Sequence, residues 1–149
     1  MEHLTNCHGE WNALIAILSS VPFIGVWLRH KLSTRKHDGD CNESRWLGEK
    51  YIYNYKRNYH GFRGEEIPLN SIKAVMVGGS TTDERYKPEE KTIVGILNKE
   101  LKNSGNDLKI VNAGIEGQST KGHIFNFEVW FPKLKNFRPK YFLFYVGIN

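Results

Sequence analysis

A chain of 149 residues has room for one domain of ordinary size, and 40% hydrophobic with 25% charged residues is the balance of a globular chain, not a disordered one. The net charge of +5 is local in origin: Arg29, Lys31, Arg35 and Lys36 cluster behind an apolar run, no nucleic-acid-binding motif accompanies them, and nucleic acid is not an expected partner. The two cysteines, Cys7 and Cys41, form no C-x-x-C pair, which excludes a disulfide framework.

Residues 11–28 carry no charged side chain. A helix crossing a hydrocarbon core of about 30 Å needs roughly 20 such residues, so the run is at the short end of the range. Trp11 and Trp27 stand near its two ends, where aromatic rings favour the membrane interface. The acidic start, with Glu2 and Glu10, and the lack of a small-residue cleavage site argue for a retained anchor over a cleaved signal peptide. A single-pass membrane anchor over residues 1–32 is the expectation, with a buried core helix as the alternative. The basic flank places the following residues in the cytoplasm by the positive-inside rule. The family resemblance below suggests the opposite side, so the orientation stays open.

Residues 33–44 are polar, contain Asp38-Gly39-Asp40, and read as a loop; residues 33–50 are expected to be a linker. Tyr51, Tyr53 and Tyr55 then alternate with a strand-like period. Aromatic and basic residues together can stack nucleobases, but an edge segment packed on a domain is the preferred reading of this stretch. Gly61-Phe62-Arg63-Gly64 follows as a turn.

From Ile72 the pattern is regular. Residues 72–77 read as a buried strand ending in the tight turn Gly78-Gly79-Ser80-Thr81-Thr82. Pro88 opens a helix whose apolar face is Ile93, Val94, Leu97 and Leu101, and Gly105 stops it. A second strand over residues 108–111 leads into a polar loop at 112–120. A second helix begins near Thr120 and breaks around Pro132, and an apolar third strand over 141–146 ends in Gly147-Ile148-Asn149. Helices alternating with short apolar strands specify an α/β domain with a parallel sheet and right-handed crossovers. Ligands of such sheets bind beyond the carboxyl ends of the strands. The site is therefore expected where the turns at 78–82, 112–120 and 147–149 converge.

A serine after two glycines at a strand end is an exposed hydroxyl on a sharp turn. It becomes a nucleophile only with a base, and its reaction needs donors for the developing oxyanion. The Ser80 and Gly117 backbone N–H groups and the Asn149 side-chain amide can supply three. The Walker A loop, the G-x-S-x-G elbow and the G-x-G-x-x-G fingerprint are all absent from the sequence.

Residues 58–149 resemble the SGNH/GDSL-type serine hydrolases. Gly78-Gly79-Ser80-Thr81 is similar to the first block of that family, Asn112-Ala113-Gly114-Ile115-Glu116-Gly117 to the second, and Gly147-Ile148-Asn149 to the third. Gly61-Phe62-Arg63-Gly64 resembles the membrane-anchored bacterial members. The resemblance implies a three-layer α/β/α, flavodoxin-like domain over residues 51–149. It makes Ser80 the nucleophile and Gly117 and Asn149 oxyanion-hole residues. The implied reaction is hydrolysis or transfer of an acyl ester, of a glycan or a lipid, without metal or organic cofactor.

Two features depart from the family pattern. Gly79 stands where Asp is usual, a replacement that other members share. The D-x-x-H block, which supplies the catalytic histidine and its aspartate, does not occur, so the chain reads as the N-terminal part of such a domain. His60 and His123 read as ordinary surface histidines, Asp83 and Glu84 as part of a solvated loop, and no histidine set has metal-ligand spacing. Two rivals remain: a ligand-binding module without turnover, and a basic membrane-surface protein that contacts anionic lipid through residues 29–36.

Overall fold

The computed structural model describes residues 37–46 and 49–147, together with the isolated positions Trp27 and Lys31. The expected anchor at 11–28, Trp27 apart, lies outside the described residues, as does Asn149. Among the described residues no helix is long and apolar enough to cross a membrane.

Part of the expected linker is strand. β1 (His37–Trp46) pairs antiparallel with β2 (Glu49–Arg57). The residues read as a loop, Asp38-Gly39-Asp40, fall at a shift of register between Asp38 and Asp40. An extra residue can be absorbed in an antiparallel ladder as a bulge, so cross-strand pairing overrides the local preference of Asp and Gly for turns. The alternation expected of the tyrosines holds: Tyr53, Tyr55 and Arg57 are buried, and Asn54 between them is exposed.

The second sheet is parallel, in the order β4-β3-β5. β3 (Ala74–Gly78) is central and buried along its whole length. Ala74 to Met76 pair with β4 (Ile110–Asn112), and Ala74 to Gly78 pair with β5 (Tyr141–Tyr145). Successive side chains of β3 serve opposite faces, as the pleat requires. Ala74 and Met76 pack with Ile110 and with Val94, Leu97 and Leu101. Val75 and Val77 pack with Val111, Ala113, Ile115, Phe62, Trp130 and Phe131. Helical segments therefore cover both faces of a mixed α/β fold.

The helix on the first face, α2 (Ile93–Asn103), starts later than Pro88. Pro88 precedes a single 3-10 turn, Glu89–Lys91, and the α-helix begins after Thr92, whose hydroxyl accepts a hydrogen bond from the Gly95 amide at 2.9 Å. A threonine at the N-cap satisfies one of the orphan amides of the first turn, which Pro88 cannot do. Gly105 follows the helix end with φ of +75°, as a stop signal should. On the other face α3 (Thr120–Phe125) starts where expected, widens into a π-helical turn over Asn126–Trp130 and ends in the 3-10 turn Phe131–Lys133. Pro132 has no N–H to continue the ladder, and the chain leaves the helix there.

β5 differs from expectation in burial. Its sequence is that of an interior strand, but Tyr141 is 55% exposed and Phe144 57%. The strand has β3 on one side, and among the described residues nothing pairs with its other edge.

Phe62 anchors the larger core cluster. It has no exposed surface, and its ring lies 5.1 Å from Trp130 and 5.4 Å from Phe137, centroid to centroid. Phe62→Ala should cost about 3–5 kcal/mol, read as a lower midpoint in urea unfolding with an unchanged slope.

Candidate functional site

Ser80 opens α1 (Ser80–Asp83), a single helical turn at the carboxyl end of the central strand, and its side chain is exposed. The turn is held from below by close approach of backbone. A Cβ on Gly78 would lie 1.9 Å from Thr82 Oγ1 and 2.4 Å from the Tyr145 carbonyl oxygen, so only glycine fits. The loop after β4 is locked to the same turn. The Ile115 amide donates to the Gly78 carbonyl at 3.1 Å, and Asn112 Nδ2 donates to the Thr82 carbonyl at 2.7 Å. A Cβ on Gly114 would meet the Asp83 amide nitrogen at 2.3 Å. On the other side Thr82 Oγ1 donates to the Tyr145 carbonyl at 3.3 Å. The turns after β3 and β4 thus converge with the end of β5, as the strand order requires.

Asp83 is not in a solvated loop; it has no exposed surface. Its Oδ1 accepts hydrogen bonds from Arg57 Nη2 at 2.7 Å and from the Tyr55 hydroxyl at 2.8 Å. Arg57, 2% exposed, also donates from Nη2 to the Gly114 carbonyl and from Nη1 to the Gly61 carbonyl, each at 2.7 Å. Arg63, from the Gly-Phe-Arg-Gly turn, donates to the Asp83 carbonyl and, from Nε, to Glu89 Oε2 at 2.8 Å. Sequence reasoning missed this ion pair because Arg57 and Asp83 lie 26 residues apart on different elements. The alternating pattern that turned Tyr53 and Tyr55 inward does turn Arg57 inward as well, and that was the available signal.

Asp83 Oδ2 has no hydrogen bond, and its nearest ion-pair partner is Arg85 Nε at 3.9 Å. Arg85 lies over the Tyr55 ring at 4.8 Å and reaches Glu116 Oε2 with Nη1 at 3.2 Å. Glu116 adjoins Gly117, which takes a φ of +65° in the loop after β4. Burial raises the Tyr55 phenol above its ordinary pKa; Asp83 adds to this and the Arg57 and Arg85 guanidinium groups oppose it. The phenol therefore remains a donor to the carboxylate.

Two clefts flank the Ser80 turn. One, of about 360 Å³, is lined by Ser80, Thr81, Arg85, Glu116 and Tyr145 among others. The other, of about 710 Å³, lies on the α3 face and includes Gly79, Thr81, His123, Phe127, Phe144 and Gly147. His123 is thus part of a cleft beside the turn and not an ordinary surface histidine. Its Nδ1 is buried without a hydrogen-bond partner, and burial lowers its pKa below the usual imidazole value. His60 shows no such placement: its ring stacks edge-on against Tyr59, and its carbonyl accepts from Trp130 Nε1 at 2.9 Å. Among the described residues no cluster of His, Cys, Asp and Glu is placed to hold a metal ion.

Of the three residues expected in the site, Ser80 stands at the end of β3 and Gly117 in the adjoining loop, and Asn149 lies outside the described residues. Compared with protein-family models, curated proteins and solved structures, the chain matches none.

Removing Arg57 would leave the Asp83 carboxylate buried without its closest countercharge. Arg57→Met is expected to destabilise by about 3–5 kcal/mol in urea unfolding, and Arg57→Met with Asp83→Leu to recover part of that loss. A lowered imidazole pKa means that the unfolded chain binds a proton at His123 before the folded chain does. Stability should therefore fall as pH drops below about 6.5, towards the folded-state pKa, and the fall should be shallower in His123→Phe, measured by urea unfolding at pH 7.5 and 5.5.

Proposed function

We propose that this chain carries the nucleophile and the first oxyanion donors of an SGNH/GDSL-type serine hydrolase, with a three-layer α/β/α, flavodoxin-like domain behind a membrane anchor at residues 11–28. The observation that carries the reading is the position of Ser80. It is exposed on the helical turn at the carboxyl end of the central strand, between two clefts. Ligands of parallel α/β sheets bind in that place.

In this reading Ser80 Oγ attacks the carbonyl carbon of an acyl ester. The carbonyl oxygen becomes an oxyanion, held by the Ser80 and Gly117 amides and by the Asn149 side-chain amide. As the adduct forms, the serine proton must pass to a base; the adduct then expels the alcohol to leave an acyl-serine, which water hydrolyses. In the resembled family that base is the histidine of a D-x-x-H block, a motif that does not occur in this sequence. The amide at the start of a helical turn has no partner within that turn, which suits it to an anion. The buried Arg57–Asp83 pair and the Asn112 bond to Thr82 hold the nucleophile turn against the Gly117 loop, the rigidity such a site requires.

A second reading is a module that binds an acylated ligand without turning it over. It is favoured by one observation: among the described residues no side chain hydrogen-bonds the Ser80 hydroxyl. A single experiment separates the two. The full chain is treated with a fluorophosphonate, the modified residue is found by mass spectrometry, and hydrolysis of p-nitrophenyl esters is followed in parallel. The enzyme reading expects the label on Ser80 and measurable ester hydrolysis that is lost in Ser80→Ala. Label on Ser80 without turnover selects the binding module. Label that is unaffected by Ser80→Ala removes Ser80 as the nucleophile.

A further inference from the structure

The Ser80 turn separates two clefts of opposite chemistry. In a sequence with 25% charged residues, the larger cleft has no Asp, Glu, Lys or Arg in its lining. Its walls are Ile124 and Phe127 from the helical layer and Phe144 and Val146 from the end of β5. The rings of Phe127 and Phe144 stack with centroids 5.7 Å apart. Burial lowers the pKa of its one imidazole, His123. Its other polar side chains are those of Thr81, Gln118, Ser119, Thr120 and Tyr145, none of them charged.

The smaller cleft is charge-rich. Asp83, Glu84, Arg85, Lys87 and Glu116 all line it together with Ser80. Its charges are paired: Lys87 Nζ with Glu84 Oε1 at 2.6 Å, and Arg85 Nη1 with Glu116 Oε2 at 3.2 Å. Paired charges at a surface offer donors and acceptors side by side with little net field, which suits a hydroxyl-rich neutral group better than an ion. Thr81 and Tyr145 line both clefts, so the two meet at the turn.

We propose that the ligand is an apolar acyl ester of a polyol, with the acyl chain in the charge-free cleft beside Phe127 and Phe144 and the sugar-like alcohol in the cleft of Arg85 and Glu116. The ester carbonyl then lies over Ser80, at the boundary. This rests on the reading of Ser80 as the residue that meets the ester. Burial against Ile124, Phe127 and Phe144 rewards each added methylene of the acyl chain, whereas an acetyl group would leave the cleft unfilled.

The test is binding of glucose monoesters with acetyl, butanoyl, hexanoyl and octanoyl chains to the full chain by titration calorimetry, with Ser80→Ala to prevent turnover. Affinity should tighten about two- to fourfold per methylene. Ile124→Glu and Phe144→Ala, both at exposed positions, should flatten that dependence. Glu116→Gln should weaken the glucose ester several-fold more than the methyl ester of the same acid, and leave the chain-length slope unchanged. Equal affinity for acetyl and octanoyl esters overturns the proposal, as does a slope that survives Ile124→Glu. Fluorophosphonate labelling keeps the two claims apart. A flat slope with Ser80 labelled sinks only the acyl cleft. A steep slope with Ser80 unlabelled sinks only the nucleophile and leaves the cleft as a binding site for the acylated polyol.

Discussion

The Asp83 carboxylate is the group on which the arrangement of the site depends. It lies three residues after Ser80, within the same helical turn, and it is fully withdrawn from water. A lone carboxylate in that position would be costly, and its compensation comes from outside its own element. Arg57 and Tyr55 bring it from β2, and Arg85 approaches from the following turn. Buried ion pairs are weak sources of net stability, because desolvation offsets most of the attraction. Their structural effect is registration. Arg57 meets Asp83 and the Gly114 carbonyl with a single guanidinium, so β2, the Ser80 turn and the loop after β4 share one geometry.

That registration gives the end of β2 a role in the site. The inward-facing residues at the end of β2 act as a bracket under the site. The Gly-Phe-Arg-Gly turn continues it: Phe62 fills the core beneath, and Arg63 holds the Asp83 carbonyl. The polar half of this bracket positions the turn and the apolar half supports the sheet.

The sheet order explains why one serine borders two environments. β3 is central, so the turn at its end stands over both faces of the sheet at once. On one face the pairs Lys87–Glu84 and Arg85–Glu116 gather; on the other, β5 and α3 present aromatic side chains. Alternation along β5 divides its residues the same way, with Leu143 packed towards α2 and Phe142 and Phe144 towards Phe127. At the end of the strand Phe144 lines the larger cleft alone, and Tyr145 lines both.

Much of this was legible in the sequence alone. The runs 72–77 and 141–146, the amphipathic stretch at Ile93, Val94, Leu97 and Leu101, and the glycine-rich turns are local patterns with local causes. They determined the α/β class, the strand order along the chain and the placing of Ser80 at a strand end. Other features depend on partners far away in sequence, and local pattern carries no record of them. The strand at 37–46 exists because β2 pairs with it, although Asp38-Gly39-Asp40 taken alone reads as a loop. The exposure of β5 follows from its place at a sheet edge, which its apolar residues do not announce. Asp83 reads as solvated until Arg57 is brought across to it, and His123 reads as a surface residue until α3 lays it in the cleft. The sequence by itself determined most of which elements form and that Ser80 stands at a strand end. Only the tertiary structure decided which charges are buried together and which chemistry lies on each side of that serine, because burial and ion pairing are set by contacts between elements.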